Sequence, residues 1–130
     1  MLCAVAESPS DEVIFPDPAL AAIVRKEIKK PEGPITVGDL SQLRDITVYQ
    51  SEVRDLSGLE HCSNLTVLNC QSNQIEQLEC LAKMPQLERV WVTYNKIKDL
   101  TPLRGLTHLS DLALAGNPVE DLSPLAEIAS

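Results

Sequence analysis

Four histidine and cysteine side chains of this sequence could together bind a zinc ion. His61, Cys62, Cys70 and Cys80 lie near one another in the chain, and thiolate and imidazole groups are the usual zinc ligands. Structural zinc sites place these ligands in pairs at short, characteristic spacings, which this segment lacks. We therefore predict no metal and no cofactor, with the cysteines buried in the core. A zinc site built from these four residues is the alternative.

Catalytic motifs are absent from the sequence. It contains no Gly-x-Ser-x-Gly nucleophile motif, no phosphate-binding loop and no His-Glu-x-x-His segment. The net charge of −8 disfavours nucleic acid and anionic membrane surfaces, which attract basic proteins. There is also no long apolar run and no signal peptide. We predict a non-catalytic protein that binds no nucleic acid and does not insert into a membrane.

A twenty-two-residue repeat organises residues 43–130. Four rows align without a gap, and each row carries leucine, isoleucine or valine at nearly the same positions. The rows begin at Leu43, Leu65, Leu87 and Leu109. Position nine is Asn73, Asn95 and Asn117 in the last three rows and Ser51 in the first. This pattern is typical of a leucine-rich repeat. It predicts an α/β solenoid with a right-handed, curved parallel sheet on its concave face and short helical turns on its convex side.

The rest of the chain predicts a tail and a cap. Residues 1–12, which include Cys3, are polar and aperiodic, so we expect a disordered N-terminal tail. Residues 13–42 predict a helical cap and a degenerate repeat, with Asp17 as N-cap and Pro18 at the first helical position. In the repeats, Thr101 and Ser123 each precede a proline. We expect these two residues to be N-caps of the convex helical turns.

Outward-facing strand residues are the candidate binding site, because side chains alternate along a strand. Positions three, five and seven of each row should face the concave surface, and position eight should lie at the strand exit. Three of the four aromatic residues fall there, which is the composition of an interface hot spot. The alternative is that Trp91 merely covers neighbouring coils. The predicted protein-binding residues are Tyr49, Asn69, Gln71, Arg89, Trp91, Thr93, Tyr94 and Asp111.

Beside the aromatic residues, Ala113, Ala115 and Gly116 predict a shallow floor in row four. Such a floor next to bulky side chains could receive a side chain of the partner.

The segment at residues 14–21, Ile-Phe-Pro-Asp-Pro-Ala-Leu-Ala, resembles the N-terminal cap of bacterial internalins. The Asp-Leu-x-Pro-Leu segments at residues 99–103 and 121–125 resemble internalin repeats. The resemblance implies a surface or secreted protein whose concave face binds a host protein. Repeats of this length also occur in intracellular proteins, so a cytoplasmic scaffold or regulatory domain is the first alternative. An engineered or fragmentary scaffold without a specific ligand is the second.

The fourth row is not followed by a polar capping segment, although solenoids normally cover their terminal coils. This leaves three alternatives: a fragment of a longer protein, a last segment that folds back, or two copies that pack end to end. We include a homodimer through this C-terminal coil among the expectations.

Overall fold

Four short parallel strands form the sheet of this protein, whose computed structural model describes residues 8–127. The strands are β1 (Asp45–Thr47), β2 (Val67–Asn69), β3 (Arg89–Trp91) and β4 (Asp111–Ala113). Neighbouring strands pair in register one repeat apart, so that Ile46 lies beside Leu68 and Leu68 beside Val90. The predicted leucine-rich-repeat solenoid with a parallel sheet is confirmed.

Short 3-10 turns return the chain on the other side of each coil. They span Leu59–His61, Glu79–Lys83, Thr101–Leu103 and Ser123–Glu127. Our prediction that Thr101 and Ser123 cap these turns is wrong. The backbone N–H of Thr101 donates to Asp99 Oδ1 at 2.9 Å, and the N–H of Ser123 donates to Asp121 Oδ1 at 2.9 Å. An aspartate two residues earlier therefore accepts the bond, because its short carboxylate reaches the second following backbone N–H.

The core is a stack of aliphatic columns. Strand positions four and six are buried in the first three coils, and so are the leucines of the return segments. One coil cannot bury this surface alone, so each coil depends on its neighbours. Cys62 and Cys70 are completely buried in the same columns, in agreement with their predicted role as core residues. Cys80, which was predicted to be buried with them, is only half-buried.

Asparagine side chains connect consecutive coils. Asn95 Nδ2 donates to the carbonyls of Cys70 at 2.8 Å and Val92 at 2.9 Å, and its Oδ1 accepts from the N–H of Ile75 at 3.1 Å. Two of these partners belong to the preceding coil. Asn73 and Asn117 make the corresponding bonds to their own preceding coils. The side chain thus satisfies backbone groups that a tight turn would otherwise bury without partners.

The N-terminal cap consists of α1 (Pro18–Ile28) and the short α2 (Val37–Leu40). The predicted N-cap and first-turn proline of α1 are confirmed. Lys29 is the C-cap of this helix and adopts a left-handed conformation with φ of 58°. Among residues 8–127 there is no helix with the length and apolarity needed to cross a membrane.

Asp17 joins this cap to the first coil. Its Oδ1 accepts from the N–H groups of Ala19 and Leu20, and its Oδ2 accepts from Arg54 at 2.6 Å and Asp55 at 3.0 Å. Burial raises the pKa of this carboxyl, but the four backbone hydrogen bonds outweigh burial and leave the pKa below its ordinary value. One carboxylate therefore starts α1 and fixes it against the solenoid.

Phe15 makes the second contact between cap and solenoid. Its ring lies against Gly58, which has φ of 108°. A Cβ at this glycine would come within 2.5 Å of the ring, so the absence of a side chain at residue 58 allows the cap to approach. Both residues are buried.

Residues 8–12 differ from the predicted disordered tail. Gly38 donates to the carbonyl of Pro9 at 2.9 Å, Val37 donates to that of Asp11 at 2.9 Å, and Glu12 forms an antiparallel bridge with Thr36. These bonds hold the segment against the start of α2, a pairing that has no periodic signal in the sequence. The remainder of the predicted tail, with Cys3, lies outside the described residues.

Replacing Asn95 with alanine should destabilise the protein by about 2–3 kcal/mol, because several buried backbone groups lose their partner. Urea unfolding measures this loss as a lower midpoint at unchanged slope. Asn64→Ala is the matched control, since Asn64 makes one exposed bond to the carbonyl of Ser41. Equal losses for the two variants would contradict the structural role of the asparagine stack.

The lowered pKa of Asp17 predicts a pH dependence of stability. The pKa of this carboxyl is about 3.9 in the unfolded chain and lower in the folded protein. The unfolded state therefore binds more protons, and stability rises with pH in this range. The contribution is complete above the unfolded pKa and is lost as pH falls through the folded pKa. Asp17→Asn should therefore flatten the acid limb of the unfolding free energy, whereas exposed Asp45→Asn should leave it unchanged. Identical pH profiles for wild type and Asp17→Asn would contradict this.

Candidate protein-binding surface

The outward side chains of the four strands form the candidate site, which we call the concave face. Within each strand the middle residue points into the core and its neighbours point outward, which places predicted residues from different rows side by side. Register pairs Asn69 with Trp91 and Trp91 with Ala113, and it pairs Arg89 with Asp111. The regular parallel ladder therefore positions these side chains, and no loop has to fold to bring them together.

The aromatic residues of this face differ in exposure. Tyr49 is 54% exposed and Tyr94 is 66% exposed. Trp91 is half-buried, although the sequence predicted an exposed side chain. It lies between the half-buried Asn69 and Ala113 of the neighbouring strands, so part of its surface is lost to them. The tryptophan thus contributes both to packing between coils and to the concave face.

Polar side chains of row two are ordered by hydrogen bonds within this face. Thr93 Oγ1 donates to Gln71 Oε1 at 2.8 Å, and the backbone N–H of Gln71 donates to Asn69 Oδ1 at 3.3 Å. Each of the two amide oxygens thereby accepts one hydrogen bond. Within residues 8–127, no partner is found for Asn69 Nδ2, Gln71 Nε2 or Trp91 Nε1, which remain as hydrogen-bond donors.

A left-handed backbone recurs at position eight of every row, a feature that the repeat pattern did not predict. The φ angles are 48° at Gln50, 61° at Ser72, 58° at Tyr94 and 78° at Gly116. This conformation turns the chain out of the strand before the asparagine of position nine. It is strained for a bulky side chain such as that of Tyr94. The glycine in row four was the available signal in the sequence.

Tyr94 also covers Gly116 of the next row. A Cβ on Gly116 would lie 2.5 Å from Cδ1 of the tyrosine ring, so the ring occupies the space that a side chain there would need. Part of the predicted shallow floor of row four is therefore filled by Tyr94 itself. Ala113 and Ala115 remain beside it as small side chains.

The charged residues of the concave face lie at its edge. Asp45, Arg89 and Asp111 are all exposed and belong to the same position of their rows. Arg89 and Asp111 are neighbours in register, yet within residues 8–127 no salt bridge is formed by Arg89. Arg89 is the only positively charged residue among the outward residues of these four strands.

The alternative zinc site is not formed by His61, Cys62, Cys70 and Cys80. Residues 8–127 contain no group of three or more histidine, cysteine or acidic side chains that could hold a metal ion. Burial raises the pKa of the Cys62 and Cys80 thiols to about 12 each and also raises that of Cys70. All three are free thiols. His108 is exposed and distant in sequence from this group.

A shallow groove of about 420 Å³ lies on another side of the solenoid. Arg54, Asp55, Glu76, Glu79 and Cys80 are among the residues that line it. These positions follow the strand exits of rows one and two, so the groove is separate from the concave face. Row two lacks the aspartate found at position thirteen of the other rows, where Gln77 stands instead.

Comparisons with known proteins agree with this architecture. The family described as Leucine Rich repeats (2 copies) matches residues 85–127. The structure of internalin inlF from Listeria monocytogenes superimposes with a TM-score of 0.85 and 33% sequence identity, over 88% of this chain and 34% of that one. The chain is an internalin-like leucine-rich-repeat protein.

Two further internalins of the same organism are similar to this internalin-like protein. The functional domain of InlJ, which includes a cysteine ladder, matches with a TM-score of 0.80 and 25% identity, over 92% of this chain and 28% of that one. Internalin C2 matches with a TM-score of 0.56 and 25% identity, over 95% of this chain and 76% of that one. The chain thus spans about a third of the inlF structure. A comparison with curated protein sequences gave no match.

Proposed function

We propose that this internalin-like protein is a non-catalytic module that binds a protein partner through its concave face. The observation that carries the proposal is the distribution of aromatic side chains. The repeat core is aliphatic, whereas Tyr49, Trp91 and Tyr94 lie on the outward face of the sheet. Aromatic residues beside an arginine are typical of the few contacts that dominate binding energy.

The framework around these residues favours binding over catalysis. Strands in register hold the side chains rigidly, which reduces the entropy lost when a partner binds. No acid, base and nucleophile converge on this face. Under this proposal Trp91 and Tyr94 form the centre of the interface with Arg89 beside them, and Tyr49, Asn69, Gln71, Thr93 and Asp111 surround it.

The C-terminal coil supports a second proposal, that two copies associate end to end at high concentration. In earlier coils the strand N–H groups of Val48, Cys70 and Val92 donate to the next coil at 2.7, 2.7 and 2.9 Å. The equivalent N–H of Leu114 has no such acceptor among residues 8–127. Leu122 is 61% exposed. Among residues 8–127 this strand edge is unpaired and lies beside apolar surface, an arrangement that favours association.

Trp91→Ala should weaken binding of a protein partner by about 2 kcal/mol or more. Because Trp91 is half-buried, this variant should also lose some stability. Tyr94 and Arg89 are exposed, so Tyr94→Ala and Arg89→Ala should each weaken binding by about 1 kcal/mol or more while the fold is retained. The immobilised protein is used to isolate a partner, and calorimetry then measures the affinity of each variant.

Lys98→Ala is the control for these variants, because Lys98 is exposed on the strand-exit side, away from the concave face. Loss of affinity in the concave-face variants alone supports the proposal. A partner that binds all four variants as tightly as the wild type would show that another surface is used.

End-to-end association should increase with salt concentration, because Asp111, Glu120 and Asp121 place like charges on the C-terminal coil and salt screens their repulsion. Leu122→Asp should lower the association constant about tenfold, a change of about 1.4 kcal/mol. Ile14→Asp is the matched control, since Ile14 is 69% exposed on the opposite end. Light scattering over a concentration series measures the effect. A monomer at every salt and protein concentration would overturn the proposal.

A further inference from the structure

Aromatic residues flank the half-buried polar residues of row two on the concave face. Tyr49 of row one lies on one side of row two, and Trp91 of row three lies on the other. Tyr94 lies at the strand exit of row three, with its ring over Gly116 of row four. The floor between Tyr49 and Trp91 is formed by Asn69 and Gln71, with Ser72 at the strand exit, and all three are half-buried. We call this feature the aromatic trough. It is open at the surface and lies over row two, between rows one and three.

The separation of rows one and three follows from sheet geometry. Neighbouring strands lie about 4.8 Å apart, so rows one and three are about 10 Å apart. A polyproline II helix has three residues per turn and rises about 3.1 Å per residue, so equivalent side chains recur at about 9 Å. A segment in this conformation that crosses the strands would place residues i and i+3 against Tyr49 and Trp91.

Hydrogen bonding at the floor fits the same ligand. Asn69 Oδ1 and Gln71 Oε1 already accept bonds from the Gln71 backbone and the Thr93 hydroxyl. The backbone bond fixes which way the Asn69 amide points, and its N–H groups remain available with those of Gln71 and Trp91. A polyproline II backbone makes no internal hydrogen bonds, and its prolines carry no N–H. Its carbonyls can therefore accept from these donors, while it brings few donors that would need acceptors.

Tyr94 is held in place before any ligand arrives. One side of its ring covers Gly116, and its backbone adopts a strained left-handed conformation. A fixed ring loses little entropy on binding, and the rigid polyproline II helix also has little to lose. The entropy lost when the two bind is therefore small.

Charge further defines the ligand. Asp45 and Asp111 outnumber Arg89 at the edge of this face, and the whole chain carries a net charge of −8. A cationic segment is therefore attracted, and an acidic one is repelled. We propose that the aromatic trough binds a proline-rich segment in the polyproline II conformation that carries lysine or arginine beside its prolines. This proposal rests on the concave-face function above and names the chemistry of its partner.

The single tryptophan of the chain provides the measurement. The probe is a peptide of about ten prolines with lysines at both ends, and the control peptide replaces the prolines with glycine and serine at the same charge. Trp91 emission should change saturably with the proline peptide, because its indole lies beside the floor of the aromatic trough. The control peptide should produce a much weaker response, since it lacks the rigid conformation and the proline rings.

Variants that keep Trp91 locate the site. Tyr94→Ala and Asn69→Ala should each weaken binding of the proline peptide about fivefold or more, equivalent to about 1 kcal/mol. Lys98→Ala should bind as the wild type does, and thermal unfolding checks that each variant is folded. Tyr49→Phe keeps the ring and should retain most of the affinity, whereas Tyr49→Ala should not.

Three results would overturn the proposal: no saturable change in Trp91 emission, equal binding of the two peptides, or equal binding by all variants. The concave-face function is judged separately, by the partner isolated with the whole protein. If that partner depends on Tyr94 and Arg89 but the proline peptide does not bind, the function stands and the proposed ligand chemistry is wrong. If the peptide binds as expected, a protein partner should lose affinity when the peptide is present.

Discussion

The hydrogen bonds of the stacked asparagine side chains are the constraint on which this solenoid depends. A chain that leaves each strand in a tight turn buries carbonyls and N–H groups that its own coil cannot pair. Asn73, Asn95 and Asn117 accept and donate at once, and each reaches backward to the coil before it. The strands are consequently fixed at one repeat of offset. That register is what brings Trp91 beside Asn69 and Ala113, and so it also determines the concave face.

The first row shows what happens where this arrangement begins. Ser51 is too short to replace asparagine, and its hydroxyl donates to the nearby carbonyl of Tyr49 instead. The cap supplies a different connection, in which the carboxylate of Asp17 accepts from backbone N–H groups of Arg54 and Asp55. Phe15 packs on Gly58 next to it. The N-terminal end is therefore held by a negatively charged acceptor and a ring, in place of a preceding coil.

The sequence predicted the features that repeat, because a period of twenty-two residues assigns every column to a strand, a turn or the core. The parallel strands, their spacing of one repeat and the buried leucines followed from that period alone. The missed features are contacts between unlike segments, such as Asp17 with residues 54 and 55, or Pro9 with Gly38. No periodicity marks them. The left-handed residues of position eight were missed for another reason, since Gln50, Ser72 and Tyr94 tolerate a conformation that sequence rules assign to glycine.

The candidate site was predictable in its location but not in its detail. Alternation along the strands identified the outward residues, and these side chains do lie on one face. Alternation does not predict how much of a large ring is covered by neighbouring side chains. The partial burial of Trp91 was therefore known only from the structure. The bond between Gln71 and Thr93, which uses the amide oxygen and leaves the amide donors, likewise depends on side-chain placement.

The contact between Tyr94 and Gly116 has a consequence for how such a chain can evolve. Repeat proteins change readily by duplication, deletion or exchange of whole repeats, provided that adjoining coils fit. With the ring of Tyr94 in its present position, row three fits only a following row that has glycine at position eight, because a Cβ there would lie 2.5 Å from the ring. A copy of row two, with Ser72 at that position, could not take the place of row four without moving the ring. The order of the repeats is thus constrained by one pair of residues, and the tyrosine can be inherited unchanged only together with the glycine of the next coil.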